Sequence, residues 1–463
     1  MRYLSTRGEA ETEFTDVLLG GLAADGGLYL PQTWPGFSQA DILAFSGRPY
    51  AEIAFHLMRP FIGDAFTEAE FHADVKSAYA RFSHPEIVPL KQISPDKYLL
   101  ELFHGPTLAF KDVAMQLLGR LFARGLEKRR RGATVIVATS GDTGSAAIEA
   151  LKGQPHVDVV VLHPKGRVSD VQRRQMTTVP DSNVHNIALE GTFDDTQSIV
   201  KELFSDRAFV SQVGLTAVNS INFARIMAQC VYYFTASITL GSAHPARFVV
   251  PTGNFGDVFA GEAASHMGLP VEKLIVATNA NDILARALKS GVYSCGSTQA
   301  TLSPSMDIQV ASNFERALYE ASGRDAEWVR ETMNGFANTH RLVIRPSALK
   351  DLSQRYAAGS ANDDETLAMI ARVYQEYGIV VDPHTAVGLA VADQLERPSG
   401  TPTVVLATAH PAKFPDAVTR ATGVRPELPP QLDDLLKREE RCAILPNSVE
   451  AVRDFIVGRM KAA

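Results

Sequence analysis

Short apolar segments that alternate with helical patterns constrain the fold of this chain more than any other feature. Each segment is apolar over its length and is followed by residues with helical spacing, which is typical of parallel strands covered by helices on both faces. The stretch of chain that holds them is too long for one such unit, so we expect two α/β lobes with mainly parallel sheets. The predicted strands span residues 134–139, 157–162, 184–189, 247–251, 273–277 and 403–407.

The chain also divides by composition into three parts. Residues 1–85 are rich in turns and helical patterns and predict a mostly helical N-terminal domain. Residues 86–425 form the body of the two lobes, with the smaller lobe, roughly 115–240, inserted in the larger one. A proline-rich break then leads into a helical tail, 426–463. The helices predicted outside the lobes span residues 50–61, 68–82, 433–441 and 448–461.

Charge and cysteine content exclude several classes of protein. The 463 residues carry 45 Lys and Arg against 52 Asp and Glu, a net charge of −7, which is opposite to the bias of a nucleic-acid binder. Cys230, Cys295 and Cys442 are odd in number and widely spaced, which excludes a disulfide framework and a CxxC metal site. There is no signal-peptide pattern and no apolar stretch near ~18 residues. We expect a cytoplasmic protein without a metal, nucleic-acid or membrane partner.

Three strand-to-helix turns carry small and polar residues. They are SGDTG at 140–144, TGNFGD at 252–257 and TAHP at 408–411, and each follows the carboxyl end of a predicted strand. Ligands of α/β sheets bind at that edge, and a helix N-terminus with nearby glycines suits an anion. The alternative is that each turn only caps its helix. Because three occur together, they favour a cleft for an anionic ligand, although none matches a nucleotide or dinucleotide fingerprint.

One lysine stands where a cation is disfavoured, at the start of the helix that follows HGPTLAFKD. Lys111, Met115, Leu118 and Phe122 fall on one helical row that is otherwise apolar. Burial and the helix dipole both lower the pKa of such an amine and favour the form that makes a Schiff base. The alternative is a lysine that extends from the rim of the core into solvent. A desolvated lysine with anion-binding turns is chemically suited to pyridoxal phosphate.

Eight segments together resemble the threonine synthase family of pyridoxal-phosphate enzymes, in its longer bacterial and fungal branch. The resemblance runs from residue 2 to about residue 418. It implies the tryptophan-synthase-β-like fold, also called fold type II, with pyridoxal 5′-phosphate as cofactor. It implies a lyase that converts O-phospho-L-homoserine and water into L-threonine and phosphate, the last step of threonine biosynthesis. The segments are MRYLSTRG, HGPTLAFKD, TSGDTGSAA, EGTFDDTQ, PTGNFGD, PSMDIQVASNFER, DPHTAVG and ATAHPAKFP.

The resemblance implies roles for the residues that would hold the cofactor. Lys111 is similar to the family's Schiff-base lysine, which is also the catalytic residue. Thr408 matches the hydroxyl residue beside the pyridine nitrogen. Asp142 matches a residue that approaches the cofactor's 3′-oxygen, and which of the two carries the proton stays open. The loop whose backbone amides hold the cofactor phosphate corresponds to Gly253, Asn254, Phe255, Gly256 and Asp257.

The substrate residues follow from the same resemblance. The turn around Asp142 is similar to the loop that grips the substrate carboxylate. Arg225 and Lys413 are the candidate cations for the substrate phosphate, although Arg225 could instead form a structural ion pair. His104 and His410 are proton shuttles or capping and packing groups. The predicted substrate-binding residues are Thr107, Ser140, Gly141, Thr143, Gly144, Asn219, Ser220, Arg225 and Lys413.

Two other functions stay open. A phospholyase with the same parts would release 2-oxobutyrate and ammonia from a related γ-phospho amino acid, because the motifs do not decide where water enters. A non-catalytic relative would bind the ligand without turning it over. The presence of Lys111, GNFGD and Thr408 argues against the second alternative. The patterns do not indicate an oligomeric state.

Overall fold

Two large sheets form the centre of the chain in the computed structural model, which describes residues 1–241, 245–396, 398 and 400–460. The strands are β1 (Tyr3–Ser5), β2 (Tyr29–Pro31), β3 (Leu90–Ser94), β4 (Lys97–Glu101), β5 (Ala133–Ala138), β6 (Val157–Pro164), β7 (Val184–Glu190), β8 (Leu215–Thr216), β9 (Ala246–Pro251), β10 (Val271–Thr278), β11 (Val292–Ser294), β12 (Arg341–Val343), β13 (Tyr356–Ser360), β14 (Thr403–Ala407) and β15 (Ala443–Pro446). The helices are α1 (Phe14–Gly20), α2 (Gln39–Leu43), α3 (Tyr50–Ile62), α4 (Glu68–Tyr79), α5 (Lys111–Arg129), α6 (Asp142–Leu151), α7 (Asp170–Thr177), α8 (Phe193–Ser205), α9 (Arg207–Val213), α10 (Phe223–Thr239), α11 (Gly256–His266), α12 (Ile283–Ser290), α13 (Phe314–Ala321), α14 (Ala326–Thr339), α15 (Pro346–Arg355), α16 (Asp363–Tyr377), α17 (Pro383–Gln394), α18 (Pro415–Thr422) and α19 (Val449–Met460).

The two sheets have the parallel character that the apolar segments predicted. One has six strands in the order β13-β10-β9-β14-β4-β3, parallel except where β3 meets β4. The other has five strands in the order β15-β7-β6-β5-β8, all parallel. Each of the six predicted strands is present, so the prediction of two mainly parallel α/β lobes is confirmed. Among the residues described, no helix is both long and apolar enough to cross a membrane.

The five-stranded sheet is buried on both faces, which explains its apolar sequence. In β5, Val135 and Val137 belong to the main core, whereas Ile136 between them packs into a separate cluster on the other face. Neighbouring β6 repeats the pattern, with Val161 in the main core and Leu162 in the other cluster. Alternate residues of one strand therefore meet different helix layers, and no polar face is left in the sequence.

The N-terminal segment contains the two predicted helices and a small antiparallel ribbon as well. Helix α3 covers its predicted span, whereas α4 ends at Tyr79, three residues before the predicted end; Thr67 and Glu70 begin α4 with a capping box. Strands β1 and β2 pair with each other, and the Tyr3 hydroxyl donates to the Phe61 carbonyl 2.7 Å away. The Tyr3 ring also contacts Phe223 of α10, so this segment packs directly on the body of the chain. The domain boundaries themselves stay predictions.

The tail differs from its prediction. The helix predicted over residues 433–441 was wrong, because the chain makes two short 3₁₀ turns around Leu432 and Leu435 and then forms β15. Both leucines pack in a small cluster with Leu108 and Val171, and this contact overrides the local helical preference. The predicted helix over 448–461 is confirmed as α19, although Lys461 lies outside the described residues.

Candidate active site

Two motifs that lie about three hundred residues apart in the chain meet beside Lys111. Ala109 forms an isolated antiparallel bridge with Ala409, and the Phe110 amide donates to the Thr408 carbonyl at 2.8 Å. Helix α5 begins at Lys111, directly after this contact. Because β14 lies next to β4 in the six-stranded sheet, the two loops leave the same sheet edge. The structure thus brings together Lys111 and Thr408, as the resemblance implied.

The amine of Lys111 is buried among other charges. The residue is only 8% exposed, its Nζ lies 3.5 Å from Asp142 Oδ2, and it stands 4.7 Å from the centroid of the Phe110 ring. Burial lowers the pKa of Lys111, and the nearby cations Lys413 and Arg225 lower it further, while Asp142 opposes them. Lys111 therefore loses its proton more readily than an exposed lysine does, which favours formation of the nucleophilic amine.

Asp142 is a buried carboxylate held between two ammonium groups. Lys413 Nζ lies 2.8 Å from Oδ1, on the side opposite the Oδ2 contact with Lys111. Gln172 Nε2 also donates to Oδ1 at 2.8 Å, and Ser305 Oγ donates to Oδ2 at 3.3 Å. Burial acts to raise the pKa of Asp142, but the two lysines outweigh it and hold that pKa far below its usual range. The carboxylate is therefore ionised in this arrangement.

Lys413 and Thr107 have partners inside the protein. Lys413 is fully buried, and besides its contact with Asp142 it donates to the Thr107 carbonyl at 2.7 Å. The Thr107 hydroxyl and amide donate to the two carboxyl oxygens of Asp112, each at 2.8 Å. Burial raises the pKa of Asp112 to about 6. These contacts hold the walls of the site together, and they engage the side chains of two of the predicted substrate-binding residues, Lys413 and Thr107.

Two backbone amides of the turn from residue 140 to residue 144 bind the side chain of the residue that precedes the turn. The amides of Gly141 and Gly144 both donate to Thr139 Oγ1 at 2.9 Å. A Cβ atom on Gly144 would lie 2.5 Å from Thr139 Cγ2, so the close packing requires glycine there. Ser140 and Thr143 are half-buried in the same turn. The grip on a substrate carboxylate that was predicted for this turn stays a prediction.

The predicted cofactor-phosphate loop, Gly253 to Asp257, connects β9 to the N-terminus of α11. Phe255 has φ of +65°, an unusual conformation for a residue with a side chain, and its ring is anchored 5.2 Å from that of Phe314. A Cβ atom on Gly253 would lie only 2.6 Å from the Ser305 carbonyl oxygen. A strained, tightly packed turn that opens a helix matches what a bound phosphate requires.

The side chain of Asp257 faces away from that role. Its Oδ1 accepts hydrogen bonds from the hydroxyls of Tyr232 and Tyr233, and its carbonyl accepts a second bond from Tyr233 at 2.9 Å. Burial raises the pKa of Asp257 to about 6, against the effect of these bonds. The carboxyl group therefore anchors α11 to α10, and only the backbone of Asp257 belongs to the loop.

Arg225 supplies the observation that tests whether a phosphate-bearing group fits here. The residue lies on α10, is 4% exposed and contributes to the charge around Lys111. Its Nε and Nη1 have no hydrogen-bond partner within the described part of the chain. Burial lowers the pKa of Arg225 to about 10. A buried guanidinium with two nitrogens that lack acceptors is suited to bind an anion, such as the phosphate that the cofactor and a phosphorylated substrate carry.

The other predicted residues lie near this centre with more modest contacts. Asn219 is exposed, and the Ser220 carbonyl accepts a hydrogen bond from Asn313 at 3.1 Å. His410 Nδ1 accepts from the Ala412 amide at 3.2 Å, and burial lowers the pKa of His410 to about 4. His104 contacts Glu101 at 2.8 Å. His410 thus caps the short turn after it and His104 pairs with Glu101, while a proton-shuttle role for either histidine stays a prediction.

Sequence reasoning missed several buried polar residues of the site. Gln172 and Ser305 bind Asp142, and the Ser305 amide donates to His384 Nε2 at 3.3 Å. His384 Nδ1 in turn lies 2.7 Å from Asp382 Oδ2. Ser305 and His384 stand in segments that carry the family resemblance, so those segments were the available signal. For Gln172 the sequence offered no such signal.

We expect the Gly253→Ala substitution to weaken cofactor binding by about tenfold or more, because the new methyl group would overlap the Ser305 carbonyl and displace the loop. Titration of the apoprotein with pyridoxal phosphate, followed by absorbance, measures this effect. Gly335→Ala is the matched control, since a Cβ atom there meets nothing within 4 Å. Unchanged affinity in the Gly253 variant would contradict the assigned close packing.

Three family profiles match consecutive parts of the chain. They are described as "Threonine synthase N terminus" over residues 2–79, "Pyridoxal-phosphate dependent enzyme" over residues 86–355 and "Threonine synthase, C-terminal" over residues 385–456. The middle profile alone covers more than half of the chain. It establishes pyridoxal phosphate as the cofactor class and fold type II as the architecture.

Whole-chain comparisons agree with the profiles. The chain is 49% identical to a threonine synthase of Pseudomonas aeruginosa over 459 residues, with 98% of both chains covered. A pyridoxal-phosphate-bound threonine synthase structure from Brucella melitensis matches with a TM-score of 0.97 at 50% identity, covering 99% of each chain. The yeast threonine synthase structure matches with a TM-score of 0.94 at 38% identity, covering 100% of this chain and 99% of that one. The chain belongs to the threonine synthase family of pyridoxal-phosphate-dependent lyases.

Proposed function

We propose that this chain converts O-phospho-L-homoserine and water into L-threonine and phosphate in the cleft around Lys111. Family membership supports the reaction. The observation that carries the proposal is the group of three buried cations, of which Lys111 and Lys413 flank the carboxylate of Asp142 and Arg225 lies near Lys111. Two nitrogens of Arg225 have no acceptor in the part of the chain that the structure describes, so positive charge remains for the phosphate and carboxylate groups of the cofactor and substrate.

Lys111 is proposed both to hold the cofactor and to move protons. Bound pyridoxal phosphate supplies an electron sink that stabilises negative charge on substrate carbon atoms. The lowered pKa of Lys111 makes its amine a base that can take a proton from the α-carbon and later from the β-carbon. Asp142, 3.5 Å away, orients that amine.

Arg225 is the proposed ligand of the substrate phosphate. Lys413, the other candidate, already binds Asp142 and the Thr107 carbonyl, whereas two nitrogens of Arg225 have no acceptor among the residues described. A guanidinium can hold two phosphate oxygens at once, which suits both substrate binding and retention of the leaving phosphate. In this arrangement Lys413 acts on the substrate through Asp142.

We expect Arg225→Gln to raise KM for O-phospho-L-homoserine by about tenfold to a hundredfold, with a smaller change in kcat, because a charged hydrogen bond to phosphate is lost. Steady-state kinetics measure this effect, and the dissociation constant of pyridoxal phosphate is the internal control. Arg225→Lys should fall between the wild type and Arg225→Gln, since it keeps charge without the bidentate geometry. Weakened cofactor binding with unchanged KM would assign Arg225 to the cofactor phosphate instead.

The reaction itself is tested by incubating the purified holoenzyme with O-phospho-L-homoserine and measuring the products. We expect phosphate and L-threonine in equal amounts. Phosphate with 2-oxobutyrate and ammonia would assign the chain to a phospholyase, and no phosphate release would assign it to a ligand-binding relative. We further propose that the reaction takes place in the cytoplasm, where the free thiols of Cys230, Cys295 and Cys442 remain reduced.

A further inference from the structure

Arg316, at the start of α13, is a fully buried cation that binds three separate segments. Its Nε and Nη2 each donate to the Tyr29 carbonyl at 3.1 Å, in strand β2 of the N-terminal segment. Nη2 also donates to the Ile221 carbonyl at 2.7 Å, in the loop before α10. Nη1 donates to Asn313 Oδ1. One side chain thus joins the N-terminal ribbon to two parts of the body of the chain.

Asn313 extends this contact to the cofactor-phosphate loop. Its backbone amide and its Nδ2 both donate to the Asn254 carbonyl at 3.0 Å, and Nδ2 also donates to the Ser220 carbonyl at 3.1 Å. Asn313 is fully buried, and a Cβ atom on Gly256 would lie 3.3 Å from its Nδ2. The side-chain amide of Asn313 is therefore packed directly against the cofactor-phosphate loop.

The same turn of α13 has a second contact with the N-terminus. Arg7 donates to both carboxyl oxygens of Glu315, at 2.9 and 2.8 Å, and the Thr6 hydroxyl donates to Oε1 at 2.6 Å. Glu315 is 4% exposed. The start of α13 is thus fixed to the N-terminal segment on one side and to the cofactor-phosphate loop on the other.

The buried guanidinium of Arg316 is stable only while the segments that supply its hydrogen-bond acceptors are docked. A guanidinium without a carboxylate partner is costly to bury, so all of its acceptors must be in place at once. Arg316 donates to two carbonyl groups and one amide oxygen, and the bonds to Tyr29 exist only while β2 is docked. If β2 moved away, Arg316 would lose two hydrogen bonds, and Asn313 would lose the group that fixes its side-chain orientation.

We propose that Asn313 and Arg316 are positioning residues that couple the docking of the N-terminal segment to the shape of the cofactor-phosphate loop, and so set the affinity for the cofactor's phosphate group. This inference rests on the proposed role of Gly253 to Asp257 as the loop that holds that phosphate. It gives the N-terminal segment a part in cofactor retention, although that segment contains none of the predicted cofactor ligands.

The test compares two ligands that differ only in the phosphate group. Apoprotein is titrated with pyridoxal 5′-phosphate and, separately, with pyridoxal, and binding is followed by absorbance. Asn313→Asp keeps an oxygen for Arg316 and the backbone bond to Asn254, but it replaces the side-chain donor to Asn254 and Ser220 with an acceptor. We expect this variant to weaken pyridoxal phosphate binding by about tenfold or more and pyridoxal binding by less than about twofold. A purely structural defect would weaken both equally.

Arg324→Met is the matched control. Arg324 also reaches the N-terminal segment, donating to the carbonyls of Pro31 at 3.2 Å and Gln32 at 2.6 Å, but its described contacts do not include the cofactor-phosphate loop. The preference of the Arg324→Met variant for pyridoxal phosphate over pyridoxal should equal that of the wild type. Arg316→Met should lose the preference, and if it fails to fold, Asn313→Asp decides alone.

The outcomes separate this inference from the function on which it rests. A wild-type chain without a preference for the phosphorylated ligand overturns the loop assignment and the inference together. A wild-type preference that Asn313→Asp retains in full overturns the inference alone. An equal loss in Arg324→Met also overturns it, because any loosening of the N-terminal segment would then have the same effect.

Discussion

Replacing Lys111 with alanine is expected to reduce threonine formation by at least about a thousandfold and to abolish the visible absorbance of lysine-bound cofactor. The substitution removes both the attachment point of the cofactor and the base that moves protons. The amine is buried and lies 3.5 Å from Asp142 Oδ2. Absorbance of the purified variant and a phosphate-release assay measure the two effects independently.

A surface lysine provides the control for this prediction. Lys97 also pairs with an aspartate, Asp393, but its side chain is 23% exposed and it lies on β4, outside the cleft. Lys97→Ala should keep the absorbance and the rate of the wild type. A Lys111→Ala protein that is fully active would falsify the assignment of Lys111. Its folding is checked by circular dichroism, and we expect it to fold because Asp142 keeps Lys413 as a counter-charge.

Asp142→Asn is expected to lower the free energy of unfolding by about 3–5 kcal/mol at neutral pH and to reduce turnover strongly. The substitution keeps the shape of the side chain but leaves the ammonium groups of Lys111 and Lys413 buried without a counter-charge. Activity falls because the amine of Lys111 loses the carboxylate that orients it. Urea unfolding and steady-state kinetics measure these effects.

The difference in the free energy of unfolding between the wild type and Asp142→Asn should increase with pH. The pKa of Asp142 is lowered in the folded chain, so its stabilising contribution is complete above the unfolded-state value near ~4 and decreases at lower pH. We therefore expect the wild type and Asp142→Asn to differ most above pH ~5 and to converge as the medium becomes more acidic. Equal stability at neutral pH would contradict the buried-pair interpretation.

Asp393 offers a matched control for Asp142. It too lies between two cations, Lys97 and Arg372, but its side chain is 31% exposed. Because solvent screens exposed ion pairs, Asp393→Asn should cost less than about 1 kcal/mol. The comparison isolates burial as the reason for the large effect at Asp142.

The local parts of the site could be predicted from the sequence. An apolar strand followed by a glycine-rich turn and a helix is encoded within about twenty residues, and so β5, β9 and β14 were placed with their turns. The prediction that Lys111 begins an apolar helical row was also correct, since Lys111 is buried and its pKa is lowered. In each case the determining contacts are close in sequence.

What the sequence did not reveal depends on contacts between distant segments. Lys413 follows a recognisable motif, but its bonds to Thr107 and Asp142 arise only when separate loops meet. Ser305 and Arg316 bind partners from other elements in the same way. In the tail, packing of Leu435 against Leu108 replaced the predicted helix with short turns. Propensity cannot foresee such long-range choices.

The central position of β14 in the larger sheet has a consequence for how the protein is made. This strand joins β9 to β4, although residues 403–407 are translated after almost nine-tenths of the chain. While the ribosome is still upstream, β4 and β9 have no neighbour between them, and Lys111 lacks the wall that carries Thr408. Loop closure over so long a separation slows folding. The catalytic cleft is therefore among the last parts to form, and prematurely terminated chains contain no working site.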